Sequence, residues 1–185
     1  MSPYEFLRKL ILPLDKIDYY LPKKGKIIDL GCGQGITCRF LANSNTRQVF
    51  GVDTDVERLP KSETKNLKFI SADITKYKIT KTEGIVISDV LHHIHPIKQK
   101  KLLGNISKSL KAGGILIVKE IDNGEFIRSR LSRLWDFILY PKDKIFYWDS
   151  VPLKRFLENL GFSVKTIRTS RLFPGSTTLF ICKKL

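Results

Sequence analysis

The chain has 185 residues, 42% of them hydrophobic, and its 33 basic and 18 acidic residues give a formal net charge of +15. This length is typical of one domain with a sizeable core, and it argues against a second, independently folded substrate domain. The charge makes an anionic partner plausible, whether a nucleic acid, an acidic small molecule or a membrane surface, although a solvated lysine-rich surface explains it equally well.

The three cysteines, Cys32, Cys38 and Cys182, are too few and too widely spaced for a disulfide framework, and no Cys-x-x-Cys pair suggests zinc. A reducing, cytoplasmic location therefore fits the composition best. Residues 1–16 contain an apolar stretch, but charges and prolines interrupt it and it lacks a small-residue cleavage site. We therefore predict neither a signal peptide nor a transmembrane segment.

The predicted elements begin with a helix. Ser2, Pro3 and Glu5 form a capping box with proline in the first turn, which predicts a helix that starts there and ends before Pro13. Short apolar runs rich in isoleucine and valine follow, and each predicts a buried strand: residues 26–30, 48–53, 66–71, 84–89 and 114–121. Helical or polar stretches separate these runs, so we expect a largely parallel sheet.

The helix before the fifth strand has signals at both ends, with Pro96 at its start and Gly113 just past its end. The chain closes with two further strand patterns, at 162–169 and 177–184. The gap between them is too short for a helical crossover, which predicts an antiparallel hairpin. The sequence thus predicts an α/β fold, a three-layer sandwich whose mostly parallel seven-stranded sheet ends in an antiparallel hairpin.

Residues 27–35, IIDLGCGQG, place three glycines directly after the first predicted strand. Glycines between a strand and a helix let the backbone turn sharply and approach a ligand closely. Dinucleotides and S-adenosylmethionine both use such a loop. A dinucleotide loop needs a small third residue, and counting from Gly31 and Gly33 that position is Ile36. Its branched side chain would push the helix away from the strand, so the pattern argues against a dinucleotide.

The spacing from Asp29 to Gly35, DLGCGQG, resembles the first motif of class I S-adenosylmethionine-dependent methyltransferases of the small seven-stranded type. Four later stretches agree with that family in order and spacing: GVDTD, SADIT, ISDVLHHIHP and LKAGGILIVKE. The resemblance covers residues 20–122 in detail and the final hairpin in outline. It implies S-adenosylmethionine as cofactor.

The resemblance also implies the residues of a cofactor site. Asp53 ends the second predicted strand, where a carboxylate can accept the ribose hydroxyls. Asp73 stands where similar enzymes bind the adenine amino group, and Ile74 where they pack a side chain on the ring. The predicted cofactor-binding residues are Asp29, Gly31, Cys32, Gly33, Gly35, Asp53, Thr54, Asp73, Ile74 and Ser88.

Three histidines, His92, His93 and His95, follow the fourth predicted strand and raise the question of a metal. Residues 92 and 93 point in different directions on a helix, and no neighbouring Cys or Glu completes a ligand set, so we predict no metal site. The family often carries VLHHI here. A base is needed only if the acceptor must lose a proton, and any of the three histidines could serve; we name His93 as the candidate, with packing or capping beside the cofactor as the alternative role.

Residues 122–161 form a connection much longer than an ordinary loop. In similar enzymes this region and the N-terminal helix form a substrate-facing cap. Its apolar stripe and its arginines are consistent with a helix that packs the stripe in the core and leaves the arginines in solvent. They are equally consistent with a basic, aromatic pocket entrance for an anionic or lipid-like acceptor. The candidate substrate-binding residues are Arg130, Tyr147 and Trp148.

We therefore expect one domain in four parts: an N-terminal cap helix (1–22), a cofactor-binding core (23–121), a substrate-facing insertion (122–161) and a terminal hairpin (162–185). The expected function is methyl transfer from S-adenosylmethionine to a small-molecule acceptor. RNA methylation is the first alternative, and the positive net charge favours it. The sequence SDVLHH argues against an amino-group methylase of nucleic acids, because such enzymes carry N/D-P-P-Y at this position. A non-catalytic S-adenosylmethionine-binding regulator is the second alternative.

Overall fold

The computed structural model describes residues 12–121, 145–169 and 177–185. The helix predicted from Ser2 lies outside these residues. Directly after Pro13 the chain forms helix α1 (Leu14–Tyr20), which the sequence analysis did not predict. Proline cannot continue a preceding helix but is tolerated where a new one starts, so Pro13 stands at the beginning of a helix here.

The described strands form one sheet in the order β3-β2-β1-β4-β5-β7-β6. The first five are mutually parallel, and β7 is antiparallel to both of its neighbours. The bounds are β1 Gly25–Leu30, β2 Arg47–Asp53, β3 Leu67–Ser71, β4 Thr82–Ser88, β5 Leu110–Ile121, β6 Phe162–Arg168 and β7 Thr177–Lys184. The predicted mostly parallel sheet with its antiparallel hairpin is confirmed.

Helices cover both faces of the sheet. Besides α1, they are α2 (Ile36–Leu41), α3 (Pro96–Ser109) and α4 (Ser150–Asn159), with a 3-10 turn at Leu91–His93. Alternate strand residues enter two separate apolar clusters: Ile28 packs with side chains of α3 and α4, whereas Ile27 packs with α1 and α2. Two helical layers therefore enclose the sheet, which confirms the predicted three-layer sandwich.

The helix before β5 ends earlier than predicted. Leu110 is buried and already pairs with Thr82, and the pairing then shifts so that Gly84 faces Ile115. Gly113, at φ +71°, lies within β5, at the irregularity between these two pairings, and not at the helix end. Helix α3 stops at Ser109 because the burial of Leu110 against β4 outweighs the local glycine signal.

In a parallel sheet, the carboxyl ends of the strands meet at one edge, where α/β proteins bind ligands. Strands β1 to β4 end at that edge in Leu30, Asp53, Ser71 and Ser88. No helix among the described residues is both long enough and apolar enough to cross a membrane. The division into cap helix, core, insertion and hairpin stays a prediction.

Candidate functional site

A cavity of about 330 Å³ opens at the carboxyl ends of β1 to β4. This volume is within the range of small-molecule sites. Among the predicted cofactor-binding residues, all except Gly35 line it. The predicted residues in its wall are Asp29, Gly31, Cys32, Gly33, Asp53, Thr54, Asp73, Ile74 and Ser88, together with His93. Long-range strand pairing thus brings together residues that lie up to 64 positions apart in the chain.

The glycines of the loop after β1 are required for different reasons. A Cβ on Gly35 would lie 2.6 Å from the Phe69 ring, and its φ of +67° is itself unfavourable for other residues, so this glycine starts α2 and makes room for a core side chain. Gly31 is constrained similarly by Val90. Of the three loop glycines, only Gly33 has nothing within 4 Å of such a Cβ. The space that a side chain at position 33 would occupy is therefore empty.

Asp53 ties the glycine loop to the end of β2. Its Oδ2 accepts a hydrogen bond from the Gly33 N–H at 2.8 Å, and its Oδ1 accepts one from the Asp55 N–H at 3.0 Å. The carboxylate thus lies where the loop and the strand end meet at the cavity wall. It is well placed to receive the hydroxyls of a ligand that lies across the loop.

Asp73 occupies the neighbouring part of the wall, after β3. Its Oδ1 accepts hydrogen bonds from the Thr75 hydroxyl at 2.8 Å and the Thr75 N–H at 2.9 Å. These bonds lower the pKa of Asp73 below its ordinary value, so it is an anionic acceptor at neutral pH. Ile74, 7% exposed, adds an apolar surface beside it.

Asp29 forms the floor of the cavity and is 2% exposed. Its Oδ2 accepts a hydrogen bond from the Cys38 thiol at 3.3 Å. Burial, with contributions from Cys32 and from this carboxylate, raises the pKa of Cys38 well above that of a free thiol. Cys38 is therefore a protonated donor that fixes the floor in place.

Two polar atoms in the cavity wall are buried and have no hydrogen-bond partner among the described residues. They are Ser88 Oγ, at the end of β4, and Gln34 Oε1, in the glycine loop. Buried polar groups are nearly always hydrogen-bonded, so unpaired ones facing a cavity are the expected sign of a polar ligand. The wall is thus suited to a ligand with hydrogen-bonding groups near β1 and β4.

The segment after β4 is held by two successive charged residues of β5, which the sequence analysis did not single out. Lys119 Nζ contacts both carboxylate oxygens of Asp89, at 2.6 and 2.8 Å. Glu120 accepts hydrogen bonds from the Leu91 N–H at 2.8 Å and contacts His92 Nδ1 at 2.6 Å. The sequence did contain a sign of this role, since Lys119 and Glu120 are adjacent charged residues in an otherwise apolar part of the strand.

The three histidines have separate environments. His92 is 2% exposed and pairs with Glu120, His93 lines the cavity, and His95 is exposed and precedes α3. Within the part of the chain that the structure describes, no group of three or more His, Cys, Asp or Glu side chains could hold a metal ion. His93 is therefore the one of these three histidines that lines the cavity.

The predicted substrate-binding residues, unlike most of the predicted cofactor residues, are not found in the cavity wall as the described residues form it. Arg130 lies outside the described residues. Tyr147 stacks on His92 with 5.4 Å between ring centroids, and Trp148 donates from its indole N–H to Gln99 Oε1. Neither belongs to the cavity wall as far as the described residues form it. Tyr147 packs on His92, and Gln99, which Trp148 contacts, donates to the Leu91 and Ile94 carbonyls, so both residues support the segment that carries His93 and Ile94 of the wall.

Several wall residues were not predicted from the sequence, although most adjoin a predicted one. The additional wall residues are Leu12, Gln34, Ile36, Thr37, Arg58, Thr75, Asp89, Val90 and Ile94. Most of them could have been predicted from the sequence, because they lie next to a motif. The sequence offered no such indication for Arg58, which lies in the loop after β2, or for Leu12, which lies in the N-terminal region.

A seven-stranded sheet of this order, with a glycine loop and acidic strand ends around one cavity, defines a class of α/β proteins that bind nucleoside-containing ligands. The model of the methyltransferase domain family matches residues 4–167, so the chain belongs to that family. This confirms the resemblance found in the sequence.

Relatives of known sequence agree with this assignment. The chain is 30% identical over 107 residues to a carboxy-S-adenosyl-L-methionine synthase of Campylobacter jejuni, a match that covers 54% of this chain and 46% of that protein. It is 26% identical over 145 residues to a ribosomal protein L11 methyltransferase of Thermotoga neapolitana, covering 74% and 52%. The chain thus spans about half the length of these relatives.

Solved structures share the fold. An S-adenosylmethionine-dependent methyltransferase from Archaeoglobus fulgidus superposes with a TM-score of 0.74 at 18% identity, covering 99% of this chain and 100% of the other. Magnesium protoporphyrin IX methyltransferase from Synechocystis, solved with bound S-adenosylhomocysteine, superposes with a TM-score of 0.72 at 18% identity, covering 93% and 82%. At these identities the likeness establishes the fold.

Proposed function

We propose that the chain is an S-adenosylmethionine-dependent methyltransferase that binds the methyl donor at the carboxyl ends of β1 to β4 and acts on a small-molecule acceptor. The observation that carries this proposal is the order of three features around one cavity: the glycine loop after β1, Asp53 at the end of β2 and Asp73 after β3. The family assignment supports the same donor.

The described residues suit the donor. Asp53 receives the ribose hydroxyls, Asp73 receives the adenine amino group, and Ile74 packs on the adenine ring. These roles use the acceptor oxygens and the apolar surface that the wall presents, and the unpaired Ser88 Oγ and Gln34 Oε1 offer further polar contacts. When bound, the donor supplies a methyl group on a positively charged sulfur, which is a good leaving group.

Methyl transfer of this kind is an in-line displacement, so holding the acceptor close to the methyl carbon supplies much of the acceleration. His93 is the group in the wall that could accept a proton from an oxygen or nitrogen nucleophile near neutral pH. His92, fixed by Glu120, lies against it with 4.3 Å between ring centroids and supports its position.

Several neighbours support a small acceptor. The structures with the same fold include magnesium protoporphyrin IX methyltransferase and human N-acetylserotonin methyltransferase, both named for small molecules. An anionic or lipid-like acceptor stays a prediction, because Arg130 and the rest of the arginine-rich stretch lie outside the described residues.

The test uses the full chain. Calorimetric titration with S-adenosylhomocysteine should show binding at one site, and donor with a labelled methyl group should then pass label to a member of an acceptor panel of small acids, phenols, amines and lipids. Binding with no transfer to any acceptor class, including RNA and protein, would favour the non-catalytic alternative. Absence of binding would contradict the proposal itself.

RNA methylation is the second candidate, favoured by one observation besides the net charge. A groove between residues 76–81 and the end of α3 is lined by Lys76, Lys78, Lys81 and Lys108, and none of the described residues that line it is acidic. Binding of total tRNA that weakens steeply between about 50 and 200 mM salt would support this candidate. Failure to bind tRNA at low salt would reject it.

A further inference from the structure

Seven exposed lysines lie on α3 and on the segment between β3 and β4, where acidic residues are scarce. Residues 74–119 contain nine lysines and two acidic residues, Glu83 and Asp89. Both acidic side chains are already paired, Glu83 with Lys111 and Asp89 with Lys119. The other seven lysines, which we call the lysine surface, are Lys76, Lys78 and Lys81 in the segment and Lys98, Lys100, Lys101 and Lys108 on α3.

Local charge balance does not account for the lysine surface. Among the described residues, the structure gives an ion-pair partner only to Lys76 of these seven, whose Nζ lies 3.9 Å from Asp73. Lys98 stands in the first turn of α3, where the helix dipole disfavours positive charge, and Lys101 follows it on the same side of the helix. These lysines therefore weaken the helix, and a partner of opposite charge would remove that cost.

One end of the lysine surface forms a groove of about 430 Å³ between the segment and the end of α3. Lys81 Nζ donates to the Lys108 carbonyl oxygen at 2.9 Å, which joins the two walls of the groove. Tyr77 and Asn105 line it beside the lysines. A partner in the groove would thus meet ammonium groups, an amide and an aromatic ring together.

The other end of the lysine surface reaches the cavity. Asp73 and Thr75 line the cavity, and Lys76 follows them directly in the chain. Hydrogen bonds from Thr75 do most to lower the pKa of Asp73, and the charges of Lys76 and Lys98 lower it further. Both lysines are therefore close enough to act on this carboxylate. The lysine surface extends from the cavity rim to the groove at Lys108.

An extended polyanion fits this arrangement better than a single anion or a flat anionic surface. The lysines are spread along a helix of 14 residues, a length of about 20 Å, which matches a chain of repeated charges. A bilayer is flat on this scale, so it would meet the outer lysines and leave the groove empty. An unpaired nucleic acid strand is narrow enough to enter, and sites for such strands combine a basic groove with aromatic side chains.

We propose that the lysine surface binds an unpaired stretch of RNA, with its lysines on the phosphates and one part of the strand in the groove. RNA is the nucleic acid that ordinarily presents unpaired loops and ends to proteins. The inference goes beyond the proposed function, because the lysine surface lies outside the cavity and would hold RNA whichever acceptor is methylated.

The experiment titrates the full chain into a fluorescently labelled oligouridylate of about 16 nucleotides and follows the anisotropy between about 50 and 200 mM salt. The test variant combines Lys78→Glu, Lys101→Glu and Lys108→Glu. Its affinity should be about ten-fold or more below that of the parent at the lower salt concentration. The slope of log affinity against log salt should become shallower by about 2, since each phosphate contact of a single strand contributes about 0.7.

The matched control makes the same change in charge on the other side of the sheet. It combines Lys16→Glu, Lys61→Glu and Lys65→Glu, all at exposed positions. Lys16 belongs to α1, whose Ile17 packs in the apolar cluster opposite α3. Lys61 and Lys65 lie in the connection before β3, which is tied to the α2 side by the bond from Asn66 to the Ala42 carbonyl. The control should keep the salt slope of the parent, because distant exposed charges are screened.

Three outcomes would overturn the assignment of the lysine surface. The first is no binding of the oligouridylate by the parent at about 50 mM salt, and the second is an equal loss of affinity in the test variant and the control. The third is tighter binding of the parent to an RNA duplex, or to vesicles of phosphatidylcholine and phosphatidylserine, than to the oligouridylate.

Calorimetry with S-adenosylhomocysteine separates this inference from the proposed function. The parent and both triple variants should bind it equally, since none of the six substituted lysines lines the cavity as the described residues form it. Loss of RNA binding with intact donor binding would overturn the RNA site alone. A parent that binds the oligouridylate but not S-adenosylhomocysteine would contradict the proposed function and leave the RNA site standing.

Discussion

Gly33 and Gly35 are separated by one residue but should respond differently to the same substitution. Gly35→Ala would place a methyl group 2.6 Å from the Phe69 ring at a strained φ, so we expect a loss of about 2–4 kcal/mol in the free energy of unfolding. Gly33→Ala meets no atom and should lose only about 1–2 kcal/mol, from its φ of +50°. Denaturant unfolding of both variants measures the difference.

Calorimetry completes that comparison. The methyl group of Gly33→Ala would project into open space at the cavity wall, so this variant should stay folded and bind S-adenosylhomocysteine more weakly. Equal stability of the two variants would show that the contact between Gly35 and Phe69 is not as tight as the structure indicates.

Asp53 should be required for donor binding. Asp53→Ala removes the acceptor for the ribose hydroxyls and the bond to the Gly33 N–H, so we expect affinity for S-adenosylhomocysteine to fall about 10- to 100-fold. Glu57→Ala is the matched control, because Glu57 is an exposed acidic residue of the same loop that does not line the cavity. If Asp53→Ala binds as tightly as Glu57→Ala, the ribose assignment is wrong.

At the scale of elements, α1 is attached to the sheet by an ion pair. Arg47, 1% exposed at the start of β2, donates to Asp18 of α1 and, at 2.8 Å, to the Pro22 carbonyl. Partial burial of Asp18 works against ionisation, but the hydrogen bonds from Lys23 and Arg47 outweigh it and lower the pKa of Asp18. Asp18→Asn should therefore lower the unfolding temperature at pH 7 by a few degrees, roughly the effect of 1 kcal/mol.

The pH dependence of this effect has a definite sign. Because the folded pKa is below the unfolded value of about 3.9, the stabilisation is present above that value and is lost as the pH falls through the folded pKa. Thermal unfolding of the parent and Asp18→Asn should thus converge as the pH is lowered below about 4. A difference that persists undiminished at acidic pH would show that the carboxylate charge is not its source.

The elements show what sequence patterns can predict. The strands were predictable because Ile and Val runs such as 84–89 are buried on both faces, and the chain spacing between 169 and 177 permits only a hairpin. Helix α1 was not, because its stability comes from Ile17 packing under the sheet and from the distant Arg47. The early end of α3 likewise depends on Leu110 meeting Thr82 of another strand.

The site shows the same division. Motif positions identified Asp53 and Asp73 because the first ends β2 and the second lies two residues beyond β3, and the fold then brings them to one cavity. The contacts of Asp89 with Lys119 and of His92 with Glu120 join residues about 30 positions apart, so no local spacing announces them. Trp148 was predicted at the acceptor site, yet its bond to Gln99 could be found only from the packed structure.

For the whole molecule, the central claim is that the methyl donor lies across the carboxyl ends of β1 to β4. A crystal structure of the full chain with S-adenosylhomocysteine tests it most directly. We expect the ribose hydroxyls within about 3 Å of the Asp53 carboxylate, the adenine ring against Ile74 with its amino group toward Asp73, and the amino-acid part at the end of β4. A ligand bound outside this cavity, or one with its adenosine on the β4 side, would contradict the account.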